Sequence, residues 1–250
     1  ADEQQIGANV AFAREHFGYG ASEGSWTSGC LLPLHHTFAI ASDLLPVLCA
    51  GGRVVILPGF TTDDAGAVAD ALGRHQVRSF SAVPIVLEAL LALSVPLPSS
   101  LAFAISGAAP LLERSRQRYR ERHGHPVIPC YGLTESVCFA TASPLDGVRP
   151  GSAGRPAGIS IRIVGEDLLP VRPGEQGEIA LRGSSVVSRY FTRGEPSGSE
   201  PIVDAPDPCC EEGWFLTGDM GRIDEGGYLF IMGRRKNMLI RGGEKLYLED

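Results

Sequence analysis

Short apolar runs alternate with amphipathic stretches through the first part of the chain. Val10, Phe12, Ala13 and Phe17 recur at roughly helical spacing and predict a helix within residues 1–20. Cys30 to Ala39 reads as a strand running into a loop, then a helix from about Ile40 to Cys49 that Gly51-Gly52 stops. Arg53–Pro58 is β-branched enough for a strand. Asp63-Asp64 opens a helix, its acids suited to a helix N-terminus, that continues through Val68, Leu72 and His75. Ser79–Val83 predicts a strand, Pro84 begins an apolar helix over Ile85–Leu93, and Leu101–Ile105 predicts another strand. An arginine-rich helix with a solvated face covers Leu111–His123, and Val127–Cys130 reads as a buried strand. Such alternation predicts a layered α/β part with a largely parallel sheet, over residues 1–147. Near Pro144 the pattern changes. Ser160–Val164, Gly177–Leu181, Trp214–Leu216 and Tyr228–Met232 are short β segments between Gly, Pro, Asp and Glu. They predict a smaller, mostly antiparallel β part over 148–232, with residues 192–213 as a mobile surface loop.

Composition narrows the function classes. A hydrophobic content of 44% with 20% charged residues describes a globular chain. A formal charge of −7 argues against a general polyanion binder, so no nucleic-acid partner is expected, but leaves room for a local phosphate pocket. No run has the length of a transmembrane helix, and Ala1–Gln5 is not a signal peptide. Cysteines 30, 49, 130, 138, 209 and 210 form no Cys-x-x-Cys pair and read as reduced thiols of a cytoplasmic protein, with Cys209-Cys210 in an exposed loop. Basic charge is carried by arginine; the lysines are Lys236 and Lys245.

The densest chemistry follows the strand ending at Cys130: Tyr131-Gly132-Leu133-Thr134-Glu135-Ser136. Ligands of open α/β sheets sit beyond the carboxyl ends of strands. Tyr131 offers a flat face for a base, and Gly132 lets backbone come close. Thr134 can donate to a phosphate, and Glu135 can help hold a Mg²⁺ that bridges phosphates. The same residues also suit a helix start, with Thr134 as cap and Glu135 in the first turn.

The order of these residues resembles a core motif of the adenylate-forming superfamily: acyl-CoA synthetases, acyl-AMP ligases, luciferases and peptide-synthetase adenylation domains. Further segments match in the same order. Leu32-Pro33-Leu34-His35-His36-Thr37-Phe38-Ala39 is similar to the acyl-pocket motif, with His36 at its histidine. Ser106-Gly107-Ala108-Ala109-Pro110-Leu111 is similar to the Ser-Gly-Gly-Ala-Pro-Leu loop along the adenine, and Gly213–Asp219 to the Gly-Trp-Phe-x-Thr-Gly-Asp motif. Gly233–Asn237 and Gly242–Tyr247 resemble the hinge and the opening of a small C-terminal domain, so 233–250 is expected to be a third segment.

The resemblance implies that Thr134, Glu135 and His36 serve catalysis, His36 shaping the carboxylate site rather than acting as a base. It implies nucleotide contacts from Gly107, Ala108, Ala109, Pro110, Tyr131, Gly132, Thr134, Asp219, Ile231 and Arg234, with Mg²⁺ at Glu135. Asp219 would accept the ribose hydroxyls and Arg234 would add donors; read singly, these two also fit a turn aspartate and a surface ion pair. The implied reaction joins a small carboxylic acid to ATP, giving acyl-AMP and pyrophosphate, and passes the acyl group to the thiol of CoA or of a phosphopantetheine carrier protein. The family's phosphate loop and late catalytic lysine have no counterpart here, so the chain is expected to be the middle of a longer enzyme, partnered by its remaining segments and weak or inactive alone. Phe38-Ala39-Ile40-Ala41 lacks the acid that peptide-synthetase domains use for an α-amine, which favours a fatty or other non-amino acid. An amino-acid adenylation domain and a non-catalytic nucleotide-binding module are the rival readings.

Overall fold

A computed structural model describes residues 1–20, 26–57, 65–92, 97–188, 191–192, 203–204, 209–210, 213–241 and 244–247. Helix α1 (Glu3–His16) begins at a capping box. Asp2 Oδ1 accepts from the Gln5 N–H at 2.9 Å, and Gln5 Oε1 accepts from the Asp2 N–H at 2.8 Å. Two donors that a helix start leaves unpaired are thereby satisfied. Strand β1 (Thr27–Cys30) follows, then a π-helical stretch, Ala39–Leu44, running into α2 (Leu45–Cys49). A single α-helix was expected there, and Pro46 explains the difference. It has no N–H to give the Ser42 carbonyl, which instead meets the Tyr19 hydroxyl at 3.5 Å.

Next come β2 (Arg53–Ile56), α3 (Ala65–Arg74), β3 (Ser79–Ala82), α4 (Pro84–Ala92), β4 (Phe103–Ser106), α5 (Glu113–His123) and β5 (Val127–Tyr131). The expected helix start at Asp63-Asp64 lies outside the described residues. Strands β6 (Thr141–Ala142) and β7 (Arg155–Pro156) complete a seven-stranded sheet ordered β2-β1-β3-β4-β5-β6-β7. Its first five strands are parallel and its last two pairings antiparallel. Side chains alternate between the two faces, as a strand's two-residue period requires. Ala104 and Val127 join Leu72, Leu87, Leu90 and Tyr119 under α3, α4 and α5. Phe103, Ile105 and Ile128 join Ala13, Phe17 and Val47 under α1 and α2. The C-terminal ends of β1, β4 and β5 therefore open on one edge of the sheet, and three of the sequence motifs begin there.

The second part is antiparallel, as expected. It contains β8 (Ser160–Val164), β9 (Gly177–Arg182), β12 (Cys209–Cys210), β13 (Trp214–Ile223) and β14 (Leu229–Arg234). Strand β13 runs well past the expected Leu216, through Thr217-Gly218-Asp219. Its pairing with β9 shifts register between Leu216 and Met220, where Gly218 adopts φ +74°. Such a bulge re-aims one side chain. Ile163, Ile179, Leu181, Phe215 and Leu229 form this sheet's core, against which Tyr131, Leu133 and Ile231 pack. Short pairs, β10 (Phe191–Thr192) with β11 (Val203–Asp204) and β15 (Met238–Arg241) with β16 (Glu244–Tyr247), lie outside both sheets. Most of the loop expected at 192–213, and the exposure of Cys209-Cys210, fall outside what is described. Among the described residues no helix is long and apolar enough to cross a membrane.

Candidate active site

Strand β4 ends at Ser106 and delivers Gly107–Pro110 to the sheet edge, with Ala108, Ala109 and Pro110 exposed. A Cβ at Gly107 would stand 2.7 Å from Cys130 Sγ and 3.2 Å from the Phe38 ring, so this corner is closed to any larger residue. Ala108 turns the loop at φ +64°.

Strand β5 delivers the second loop. Thr134–Ser136 form one 3₁₀ turn, preceded by Leu133 in an extended conformation. Thr134 is thus the first residue of the turn and not its cap. Its side chain is exposed, and Glu135 is partly exposed. Gly132 was expected to let backbone come close, and it meets main chain: a Cβ there would lie 1.4 Å from the Cys138 carbonyl oxygen. Ser136 Oγ accepts from the Leu133 N–H at 3.2 Å and donates to the Leu133 carbonyl at 3.0 Å, closing the turn.

The third component comes from the second sheet. Asp219 is a buried residue of β13, neither in a turn nor on the surface, and Arg234 of β14 is its cross-strand partner. Arg234 Nε donates to Asp219 Oδ1 at 2.8 Å, and the Tyr131 hydroxyl donates to Asp219 Oδ2 at 2.7 Å. Burial, and then the charge of Asp219, push the Tyr131 phenol well above its ordinary range, so it stays a donor. Arg234 is half exposed, so its ion pair contributes about 0–1 kcal/mol and acts mainly on geometry. A carboxylate has about four lone-pair sites, so two remain for a diol. Behind this group the Gly218 N–H donates to Glu178 Oε1 at 3.0 Å, and Arg235 Nη1 pairs with Glu178 Oε2 at 2.8 Å.

His36 stands exposed on the loop after β1. Its Nδ1 accepts from the Phe38 N–H at 3.1 Å, which assigns the neutral ring's proton to Nε2. The ring therefore presents a donor outward. Phe38 reaches the Gly107 corner, so the segment after β1 touches the loop after β4 there. Tyr131, Asp219 and Arg234 are drawn into one hydrogen-bonded group. Ile231 is half buried beside Tyr131 and Leu133 in the second sheet's core, and Lys236 is exposed. Two residues escaped the sequence reading. Gln5 and Asn9, four apart on α1, are buried and bond the main chain around the second loop. Their signal is a pair of carboxamides one helical turn apart, in line with Ala13.

The donor set suits a nucleotide and its metal. Among the described residues no group of three His, Cys, Asp or Glu side chains could hold an ion. Mg²⁺ on a nucleotide needs only one or two carboxylates besides the phosphates, and Glu135 with the Thr134 hydroxyl fits that demand.

Comparison with known proteins agrees with the motifs. An indoleacetate–CoA ligase of Aromatoleum aromaticum is 38% identical over 223 residues, covering 86% of this chain and 41% of that protein. A 2-succinylbenzoate–CoA ligase of Bacillus velezensis is 36% identical over 223 residues, covering 86% of this chain and 42% of that protein. The chain thus spans about two fifths of the length of these curated relatives. The O-succinylbenzoate coenzyme A synthetase of Bacillus subtilis, solved with ATP and magnesium, superimposes with a TM-score of 0.79 at 29% identity, over 96% of this chain and 48% of that one. The sequence model described as AMP-binding enzyme matches residues 4–191, from α1 to β10. That match covers both loops and the parallel sheet that carries them, and the chain belongs to the AMP-binding enzyme family.

Proposed function

We propose that this chain supplies the nucleotide-binding core of a ligase that joins a small carboxylic acid to the thiol of CoA, using ATP. The observation that carries this reading is the group Tyr131–Asp219–Arg234, in which a buried carboxylate is held by donors from two sheets. Asp219 would accept the ribose hydroxyls, with the exposed Ala108–Pro110 loop along the adenine. Thr134 would donate to the phosphates, and Glu135 would help hold Mg²⁺, which neutralises phosphate charge. His36 Nε2–H would orient the acid. The acid's oxygen attacks the α-phosphorus, the bond to pyrophosphate breaks, and pyrophosphate leaves. The thiol gives up its proton to solvent, its sulfur attacks the acyl carbon, the bond to the AMP oxygen breaks, and AMP departs with that electron pair. The barrier is mutual repulsion of anions, so positioned donors do most of the work.

The relatives are named for indoleacetate, sulfoacetate and 2-succinylbenzoate. They favour CoA over a carrier protein, and small functionalised acids over the fatty acid the sequence reading leaned to. An acid-free Phe38–Ala41 speaks against amino acids.

Calorimetry tests the site. AMP should bind, and Tyr131→Phe should weaken it by about tenfold, because the hydroxyl's charge-assisted bond is worth on the order of 1.5 kcal/mol to Asp219's placement. Unchanged affinity removes Tyr131–Asp219 from the nucleotide site. Pyrophosphate release with arylacetic, fatty and amino acids tests the chemistry. AMP binding without release from any acid, by the chain and by the enzyme completed to its relatives' length alike, would identify a binding module instead.

A further inference from the structure

Helix α1 turns two carboxamides toward the second loop. Gln5 and Asn9 are exposed by only 8% and 1%, although each carries two donors and an acceptor that would otherwise be hydrated. Gln5 spends its oxygen on the capping box, and its Nε2 donates to the Val186 carbonyl at 3.1 Å. The next residue's N–H, that of Val187, donates to the Glu135 carbonyl at 2.8 Å. Asn9 Nδ2 donates to the carbonyls of Ser136 and Phe139, at 3.4 and 3.2 Å. Asn9 Oδ1 is buried with no partner among the described residues. The side chain is therefore held in place for what it donates. An apolar residue would fill the same space without burying an unpaired acceptor.

Between the two carbonyls that Asn9 grips stands Val137, at φ +64° and ψ −55°. The Cys138 N–H donates back to the Ser136 carbonyl at 2.7 Å, which makes this a γ-turn of the rare, strained hand. A β-branched residue at positive φ is an outlier. Strain of this kind persists only where the surroundings over-determine it, and it gathers at functional sites. The turn joins Thr134–Ser136 to the Phe139–Ala142 segment, which returns to pair with β5 through the Ala140 N–H on the Tyr131 carbonyl. Relaxing it would swing the preceding hydroxyl and carboxylate.

We propose that Gln5 and Asn9 are positioning residues that hold the strained Val137 turn and thereby aim Thr134 and Glu135 at the nucleotide's phosphates. The aim, though not the holding, rests on the function proposed above.

Asn9→Leu keeps the volume and removes the donor; Val137→Gly accepts positive φ without strain. Amide hydrogen exchange on the 250-residue chain tests the holding directly. Asn9→Leu should speed exchange at Cys138 by about tenfold while β3 and β4 amides keep their rates, a local and not a global opening. In the enzyme completed to its relatives' length, AMP affinity should stay within about threefold, while Mg-ATP-dependent pyrophosphate release falls about tenfold or more, as misplacement of reacting groups does. Adding Val137→Gly should recover most of that loss. An unchanged Cys138 rate, or a uniform rise across the chain, overturns the proposal. So does equal loss of AMP binding and turnover, because that is the mark of a merely structural residue. Wild-type protein that binds AMP but releases no pyrophosphate would defeat the ligase reading alone, and exchange at Cys138 would still decide the role of Asn9.

Discussion

Ala108 and Gly132 illustrate how differently single residues are constrained beside this site. Gly132 has no room for a side chain, since the Cys138 carbonyl occupies the place of its Cβ. Ala108 is the opposite case. Space is available on an exposed loop, but its φ of +64° belongs to glycine's territory. Holding an L-residue there costs about 1–2 kcal/mol. The motif that this loop resembles has glycine at that place. Ala108→Gly removes the strain but gives the unfolded chain more freedom, a loss of about 0.5–1 kcal/mol. The net should be a gain on the order of 0.5 kcal/mol. It would appear as a small rise in the urea midpoint at unchanged slope. A clear fall in stability would mean that the alanine side chain makes contacts that outweigh its backbone cost.

At the scale of elements, the π-helical stretch brings a buried acid into the layer between α1, α2 and the sheet. Asp43 is fully buried, and its Oδ1 accepts from Ser28 of β1 at 3.2 Å and from Ser81 of β3 at 2.8 Å. Ser81 also donates to Ser42, which donates to the Phe38 carbonyl, so the carboxyl is tied through serines to the loop bearing His36. Among the described residues it has no ion-pair partner. Burial raises it to about 7, against the pull of the serine hydrogen bonds. The groups facing it are Tyr19, Cys30, Cys130 and Cys138, all pushed upward by burial and neutral in this range. In the unfolded chain Asp43 titrates near 3.8. Between the two values the folded state holds the extra proton, so stability falls as pH rises from about 4 to 7, by a few kcal/mol in all. His123 and His125, at the end of α5, work in the other direction. Burial lowers both, and as pH falls through 6.5 the unfolded chain takes up protons first, so stability drops. A maximum between the two limbs is expected. Asp43→Asn cannot ionise and should flatten the Asp43 limb, its stability relative to wild type growing by on the order of 1–3 kcal/mol between pH 5 and pH 8. Urea midpoints from pH 5 to 8.5 would check it, and parallel curves for the two proteins would refute the assignment. None of this is legible in the sequence, where residues 40–49 read as an ordinary helix. The informative residue was Pro46, whose missing N–H disturbs the ladder four residues upstream of it.

Across the whole molecule, the parallel sheet was legible because strands buried on both faces are nearly continuous apolar runs, as in Val127–Cys130. The second half of β13 was not, because Gly218 and Gly221 interrupt the alternation that marks a strand. The site divides in the same way. The loop motifs were found through their residue order. The bond from Tyr131 to Asp219, 88 positions apart, exists only once the two sheets meet. Gln5 and Asn9 were passed over because polar residues on a helix ordinarily mark its wet face. The joining of two sheets at one carboxylate has a thermodynamic consequence. A nucleotide that binds only when both sheets are folded and docked stabilises the whole chain, by about 2.7 kcal/mol at 100 times its Kd. For a domain of this size each kcal/mol moves Tm by about 2–4 °C, so AMP should raise it by about 5–10 °C. On the function proposed above, Asp219→Asn would weaken the carboxylate's hold on both ribose hydroxyls and should cost about tenfold in affinity. At the same AMP concentration the shift then shrinks to about half, since tenfold excess stabilises by about 1.4 kcal/mol. Arg116→Gln breaks the ion pair with Glu113 on α5, a pair that shares no hydrogen bond with Asp219, and should leave the AMP shift intact whatever it does to Tm itself. Scanning calorimetry on the three proteins with and without AMP separates the outcomes. Equal shifts in wild type and Asp219→Asn would show that the nucleotide does not engage the junction of the two sheets, and the ribose assignment would go with it.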